Sequence, residues 1–121
     1  MTLLDRIAPP EPFGNSYAES DGSKWSAKLL YEEVEKQKCV AEKFPLKFVD
    51  TTNSPFRGDR LCDFVYHTRR IQNADYSIPI VVGPLGGILD GFHRIAHALL
   101  DGKSFVMCYR LKEMPEPDGK E

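Results

Sequence analysis

Residues 77–103 read SIPIVVGPLGGILDGFHRIAHALLDGK, and this stretch decides the predicted fold. A β-branched run from Ile78 to Val82, bounded by turn residues, predicts a strand. The sequence GPLGG makes a tight connection to a second short strand, Ile88–Leu89, which pairs back on the first. A helix follows Gly91 and ends at Gly102, and its predicted core residues are Ile95, Ala96, Leu99 and Leu100.

The segments on either side of this unit add two more helices and two more strands. A helix is predicted from Ser26 to about Lys43, with Ser26 as its cap and Trp25 packed on Leu30, followed by a strand over 46–49. A second helix over 59–71 has apolar residues at three- and four-residue steps, which predict a core stripe of Leu61, Phe64, Val65, Thr68 and Ile71. The last predicted strand is Ser104–Leu111.

Length and composition indicate one small α+β domain, a mixed β-sheet with packed helices. The chain has 121 residues, enough for a single core. We expect an irregular N-terminal arm over 1–22, the domain over 23–112 and a polar tail over 113–121. The net charge of −2 disfavours broad binding to nucleic acid.

Cysteine usage and hydropathy predict a cytoplasmic protein. The three cysteines have wide, unpatterned spacings that suggest neither a zinc site nor a disulfide framework, so we expect free thiols in a reducing compartment. No run approaches the ~18 apolar residues of a membrane span, and we expect no signal peptide.

The turn at residues 90–94, DGFHR, has the composition of an anion site. A helix start presents unpaired backbone N–H groups and the positive end of the helix dipole. Gly91 lets a ligand approach the backbone closely. Arg94 can donate two hydrogen bonds to two phosphate oxygens, and His93 can donate one more. Asp90 would repel a phosphate, so it is better suited to cap the helix, to orient His93 or Arg94, or to contact a ribose or magnesium.

Other interpretations of the same residues remain open at this point. The turn is also compatible with an ordinary capped loop and surface charge. His93 and His97 lie four residues apart and could bind a metal together, but no third ligand is evident and Arg94 would oppose a cation, so we expect no metal site. The basic stretch with Arg57, Arg60, Arg69 and Arg70 is either a solvated helix face, or it directs Arg60 and His67 towards the same anion as Arg94.

The stretch also resembles the first conserved block of the ParB/sulfiredoxin superfamily, in which a P-I-V-V strand leads to D-G-x-H-R-x-x-A. The matching residues are Pro79 to Val82, Asp90, Gly91, His93, Arg94, Ala98 (shifted by one position) and Gly102, and a weaker likeness extends from about Phe44 to Leu111. Members of this superfamily bind nucleotides. The resemblance therefore implies that Gly91, His93 and Arg94 hold phosphates and that Arg60, His67 or Thr68 of the preceding helix line the pocket.

The departures from the family pattern limit what the resemblance implies. Sulfiredoxins carry a reactive cysteine where this chain has Phe92, and a partition protein's DNA reader would need more than the ten residues after Leu111. The family's serine kinase uses a carboxylate base, a role that Asp50 or Asp90 could fill. We expect a domain that binds ATP, ADP or CTP, with Mg²⁺ if it is a small phosphotransferase. The alternatives are a non-enzymatic ParB-like module and a DNA-associated protein or nuclease of phage or plasmid type.

Overall fold

A computed structural model describes residues 16–19, 21–56 and 58–120. In these ranges the chain forms seven short strands, three α-helices and one 3₁₀ turn, so the α+β class is confirmed. The strands are β1 (Ser16–Ala18), β2 (Ser23–Ser26), β3 (Glu42–Pro45), β4 (Ile80–Val82), β5 (Ile88–Asp90), β6 (Phe105–Arg110) and β7 (Gly119–Lys120). The helices are α1 (Ala27–Lys36), α2 (Leu61–Asn73) and α3 (Phe92–Leu100), and the 3₁₀ turn is Leu46–Phe48.

The main sheet is mixed and has four strands in the order β3-β6-β4-β5. β4 runs parallel to β6, and the other two pairs are antiparallel. Side chains alternate across β4, so Ile80 and Val82 pack on one face while Val81 packs on the other. The first face is covered by α3 through Ile95 and Ala98, and the second by α1 through Leu30 and Val34. The sheet is therefore buried between helices on both sides.

The first predicted helix is shorter than expected. Ser26 caps it as predicted, since its Oγ accepts a hydrogen bond from the backbone of Leu29 at 3.2 Å. α1 ends at Lys36, however, and Lys38 takes a positive φ of 55°. The chain then enters β3 at Glu42, so the predicted strand over 46–49 is wrong, and those residues include the 3₁₀ turn.

The predicted core stripe of α2 is also wrong. Leu61 and Phe64 are 78% and 70% exposed, whereas the buried residues of this helix are Asp63 and His67. Asp63 tolerates burial because it accepts hydrogen bonds from the backbone N and the guanidinium of Arg60. A polar face of α2 therefore packs inward, and part of its apolar face meets solvent.

The unit built from β4, β5 and α3 follows the prediction closely. β5 pairs antiparallel with β4, and Gly102 ends the helix with a φ of 71°. The core residues of α3 are Ile95 and Ala98 rather than the full predicted set, because Leu99 and Leu100 are 40% and 73% exposed and Ala96 is half-buried.

A second sheet of order β1-β2-β7 joins strands from the first and last parts of the described chain. Part of the predicted arm thus forms β1, whereas residues 1–15 lie outside the described ranges. The predicted polar tail lies along α1, where Asp118 accepts hydrogen bonds from the backbone and hydroxyl of Ser26 and the Pro115 carbonyl accepts one from the Trp25 indole. Among the described residues, no helix is both long enough and apolar enough to cross a membrane.

Candidate anion site at the start of α3

Gly91 has a packing reason to be glycine. It precedes α3 with a φ of 120°, and a Cβ built on it would lie 2.3 Å from Cγ2 of Ile80. Both the backbone conformation and the contact with β4 therefore require glycine. The same contact seats the first turn of α3 directly against the central sheet.

The first turn of α3 is uncapped within the described residues. No side chain accepts from its N–H groups, and the first internal bond runs from Ile95 N to Gly91 O at 3.0 Å. The backbone N–H groups of Phe92, His93 and Arg94 therefore point out of the helix start. This geometry suits an oxyanion.

Arg94 is held in place by groups from outside its own helix. Its Nη1 donates to the Tyr31 hydroxyl at 2.6 Å and to the Pro79 carbonyl at 3.1 Å. All of its hydrogen bonds to the described residues use this one nitrogen, and its side chain remains 23% exposed. The guanidinium thus keeps Nη2 and Nε for a further acceptor.

Asp90 takes one of the roles expected for it. Its Oδ2 accepts from the Tyr31 hydroxyl at 3.1 Å and lies 4.0 Å from Nη1 of Arg94. The hydroxyl between them therefore accepts from the guanidinium and donates to the carboxylate. Asp90 orients Arg94, and its negative charge is offset by that residue.

His93 joins α3 to α2 through a second imidazole. Its Nε2 lies 3.0 Å from Nδ1 of His67, which is only 8% exposed. The Phe56 ring stacks on both imidazoles, with centroids 4.6 Å from His93 and 4.9 Å from His67. His67 is thus the α2 candidate that the structure brings to the predicted site.

The surroundings of His93 favour its neutral form. Burial, then the positive charge of Arg70, then His67 lower its pKa from 6.5 to about 4. At neutral pH His93 therefore presents one N–H and one lone pair.

Arg60 and Thr68 make their described contacts elsewhere. Arg60 pairs with the buried Asp63 at 2.9 Å, and that hydrogen bond lowers the pKa of the carboxyl. The hydroxyl of Thr68 donates to the Phe64 carbonyl, one turn back along α2, at 2.8 Å. Neither residue has a described contact with His93 or Arg94.

Asp50 is the cap of its own turn. Its carboxylate accepts hydrogen bonds from Thr52 and Asn53 in an exposed loop. Those bonds lower its pKa to about 2. A general base works best with a pKa near the operating pH, so this geometry does not favour Asp50 in that role.

His97 faces away from a joint site with His93. Its Nδ1 lies 2.8 Å from the Ala74 carbonyl, and Tyr76 packs edge-on against its ring. Over the described part of the chain, no group of three or more His, Cys, Asp or Glu side chains is arranged to hold a metal ion.

Two contacts at the site were missed by sequence reasoning. Tyr31 lies 63 positions before Arg94, and Phe56 lies in a loop with no periodic pattern. The residue type of Tyr31 indicated only that its hydroxyl would form a hydrogen bond if the side chain were buried, because buried tyrosines usually find a partner. Nothing in the sequence indicated which partner it would find.

Comparison of the chain with family models, with curated proteins and with solved structures gave no match.

Proposed function

We propose that this chain is a cytoplasmic protein that binds the phosphate groups of a nucleotide, or of another phosphorylated small molecule, at the start of α3. The observation that carries the proposal is the first turn of α3, which no described side chain caps, with Arg94 beside it bonded to the described residues through a single nitrogen. Backbone donors and a guanidinium at one place are the usual elements of a phosphate site. The D-G-x-H-R resemblance supports ATP, ADP or CTP as the ligand.

The charge balance around the turn supports an anion rather than a cation. Arg94 and Arg70 are both close enough to act on the groups of this site, as the effects of Arg94 on Tyr31 and of Arg70 on the His93 pKa indicate. The carboxylate of Asp90 is engaged by Tyr31. A phosphate at the turn would therefore be attracted by the guanidinium of Arg94 and by the charge of Arg70, while Asp90 would oppose it.

Thermal-shift measurements against nucleoside mono-, di- and triphosphates, with and without Mg²⁺, test this proposal. A ligand at about 100 times its Kd should stabilise the fold by about 2.7 kcal/mol. Arg94→Ala should remove most of the ligand-induced shift. Because that variant also loses the contact with Tyr31, the quantity to compare is the shift on adding ligand, not the Tm itself.

Arg110→Ala is the matched control, since Arg110 lies opposite Val82 at the other end of β4 and pairs with Glu42. It should keep the full ligand-induced shift. No shift with any nucleotide, or equal shifts in both arginine variants, would refute the site. Stabilisation by DNA oligonucleotides but by no mononucleotide would support the DNA-associated alternative instead.

Catalysis is a separate proposal with its own assay. If the chain is a small phosphotransferase, nucleotide turnover needs a base, and the carboxylate beside the site is Asp90. Asp90→Asn should then abolish turnover while Asp50→Asn preserves it. Equal loss in both variants would contradict this assignment, and binding without turnover would support the non-enzymatic module.

A further inference from the structure

The His67–His93 contact has the geometry of one directed hydrogen bond. Nδ1 of His67 and Nε2 of His93 are 3.0 Å apart, while the ring centroids are 5.2 Å apart and the planes differ by 18°. The rings therefore meet edge to edge, nearly coplanar. Such a bond requires a proton on one of the two facing nitrogens and a lone pair on the other.

This bond restricts how His93 can meet a ligand. Its Nε2 is occupied by His67, so only Nδ1, the nitrogen nearer the backbone, can face an anion at the first turn of α3. A neutral imidazole carries a single proton. To donate from Nδ1, neutral His93 must have a bare Nε2, and a bare Nε2 must accept from His67.

We propose that His67 is a positioning residue of the anion site: its Nδ1–H donates to Nε2 of His93 and thereby keeps the His93 proton on Nδ1, where it donates to the bound anion. This inference rests on the proposed function. It assigns one protonation state to the His67–His93 pair, whereas the sequence presents the two histidines as separate candidate ligands.

The surrounding aromatic side chains hold the His67 and His93 rings in the orientation that this hydrogen bond requires. His67 is buried, Phe56 stacks on both rings, and Tyr66 packs edge-on against His67 at 5.3 Å between centroids. The low pKa of His93, about 4, keeps the ring neutral at pH 7. A neutral ring supplies an N–H to an anion only through the correct tautomer, which a hydrogen bond to the other nitrogen selects.

The test combines ¹⁵N NMR of histidine-labelled protein with titration of inorganic phosphate at pH 7.5. In the phosphate-bound wild type, we expect His93 to be protonated at Nδ1 and bare at Nε2, and His67 to be protonated at Nδ1. His67→Leu removes the donor and should weaken phosphate binding about tenfold. His67→Asn places an amide nitrogen near the position of Nδ1 and should recover most of the affinity.

His97→Asn is the control, since His97 lies on α3, the helix of His93, but contacts the Ala74 carbonyl. It should bind phosphate like the wild type. Unchanged affinity in His67→Leu, or a His93 proton on Nε2 in the phosphate-bound wild type, would overturn the role of His67 while leaving the anion site intact. A wild type that binds neither phosphate nor nucleotides would overturn both. The tautomer measurement needs no substitution, so it holds even if His67→Leu fails to fold.

Discussion

Gly91 and Ile80 are packed so closely that no side chain fits between them. A Cβ on Gly91 would lie 2.3 Å from Cγ2 and 2.7 Å from Cβ of Ile80, and the φ of Gly91 is positive. Ile80 is fully buried in the central strand, so it has no space to retreat. The position of the α3 start is therefore fixed by the core rather than by a ligand.

Three glycine-to-alanine variants separate the effect of the positive φ of Gly91 from the effect of its contact with Ile80. Gly91→Ala introduces both strain and a clash and should lower the free energy of unfolding by about 2–4 kcal/mol. Gly102→Ala introduces strain alone in open space, at about 1 kcal/mol, and Gly87→Ala should change stability by less than about 0.5 kcal/mol. Urea unfolding measures all three. A Gly91 variant no less stable than the Gly87 variant would contradict the packing argument.

Removing the Tyr31 hydroxyl should destabilise the protein. Tyr31→Phe deprives Arg94 of an acceptor and Asp90 of a donor in a partly buried site. We expect a loss of about 1–2 kcal/mol in the free energy of unfolding. Tyr109→Phe is the control, because the Tyr109 hydroxyl has no hydrogen bond with any described residue. Similar losses in the two variants would show that the hydroxyl contact contributes nothing specific.

The depressed pKa of His93 predicts a stability change in mild acid. The folded value is about 4 and the unfolded value about 6.5, so the unfolded chain binds more protons between these values. The His93 contribution is present above pH 6.5 and is lost as the pH falls from 6.5 towards 4. Urea unfolding at pH 7.5, 6.5, 5.5 and 4.5 measures it. His93→Phe should show a shallower decline over this window than the wild type, and parallel curves would refute the assignment.

The packing of the C-terminal residues can be followed by the fluorescence of Trp25, the single tryptophan of the chain. Its indole donates to the Pro115 carbonyl at 2.7 Å, and its side chain is buried. Deleting residues 115–121 should shift Trp25 emission to longer wavelengths and lower the Tm. Asp118→Asn weakens only the contact with Ser26 and should lower the Tm without the full emission shift. Unchanged emission after the deletion would contradict the packing of the tail over Trp25.

The part of the fold that sequence predicts best is its most local part. β4, β5 and α3 form one contiguous stretch, so their turn residues and apolar runs contain the needed information. The end of α1 depends on Lys38 in a left-handed conformation, which a lysine rarely adopts. Propensity alone therefore extended that helix too far.

α2 shows a second limit of sequence patterns. Its periodicity correctly indicated a helix, but periodicity does not say which face a neighbour covers. The buried Asp63 accepts from the guanidinium of Arg60, and the buried His67 contacts His93 through Nδ1, across 26 positions of the sequence. In the same way, sequence could propose Gly91, His93 and Arg94 for a candidate anion site, whereas the contact between Tyr31 and Arg94 becomes visible only in the folded chain.

The strand order of the main sheet has a consequence for synthesis on the ribosome. Among the described strands of that sheet, β3 hydrogen-bonds to β6 alone, and Phe105 lies sixty positions after Pro45 in the sequence. The nascent chain therefore carries β3 without this partner until residues 105–108 have emerged. During this interval β3 is protected from pairing with other chains by the charges of Glu42 and Lys43 and by the proline at its end.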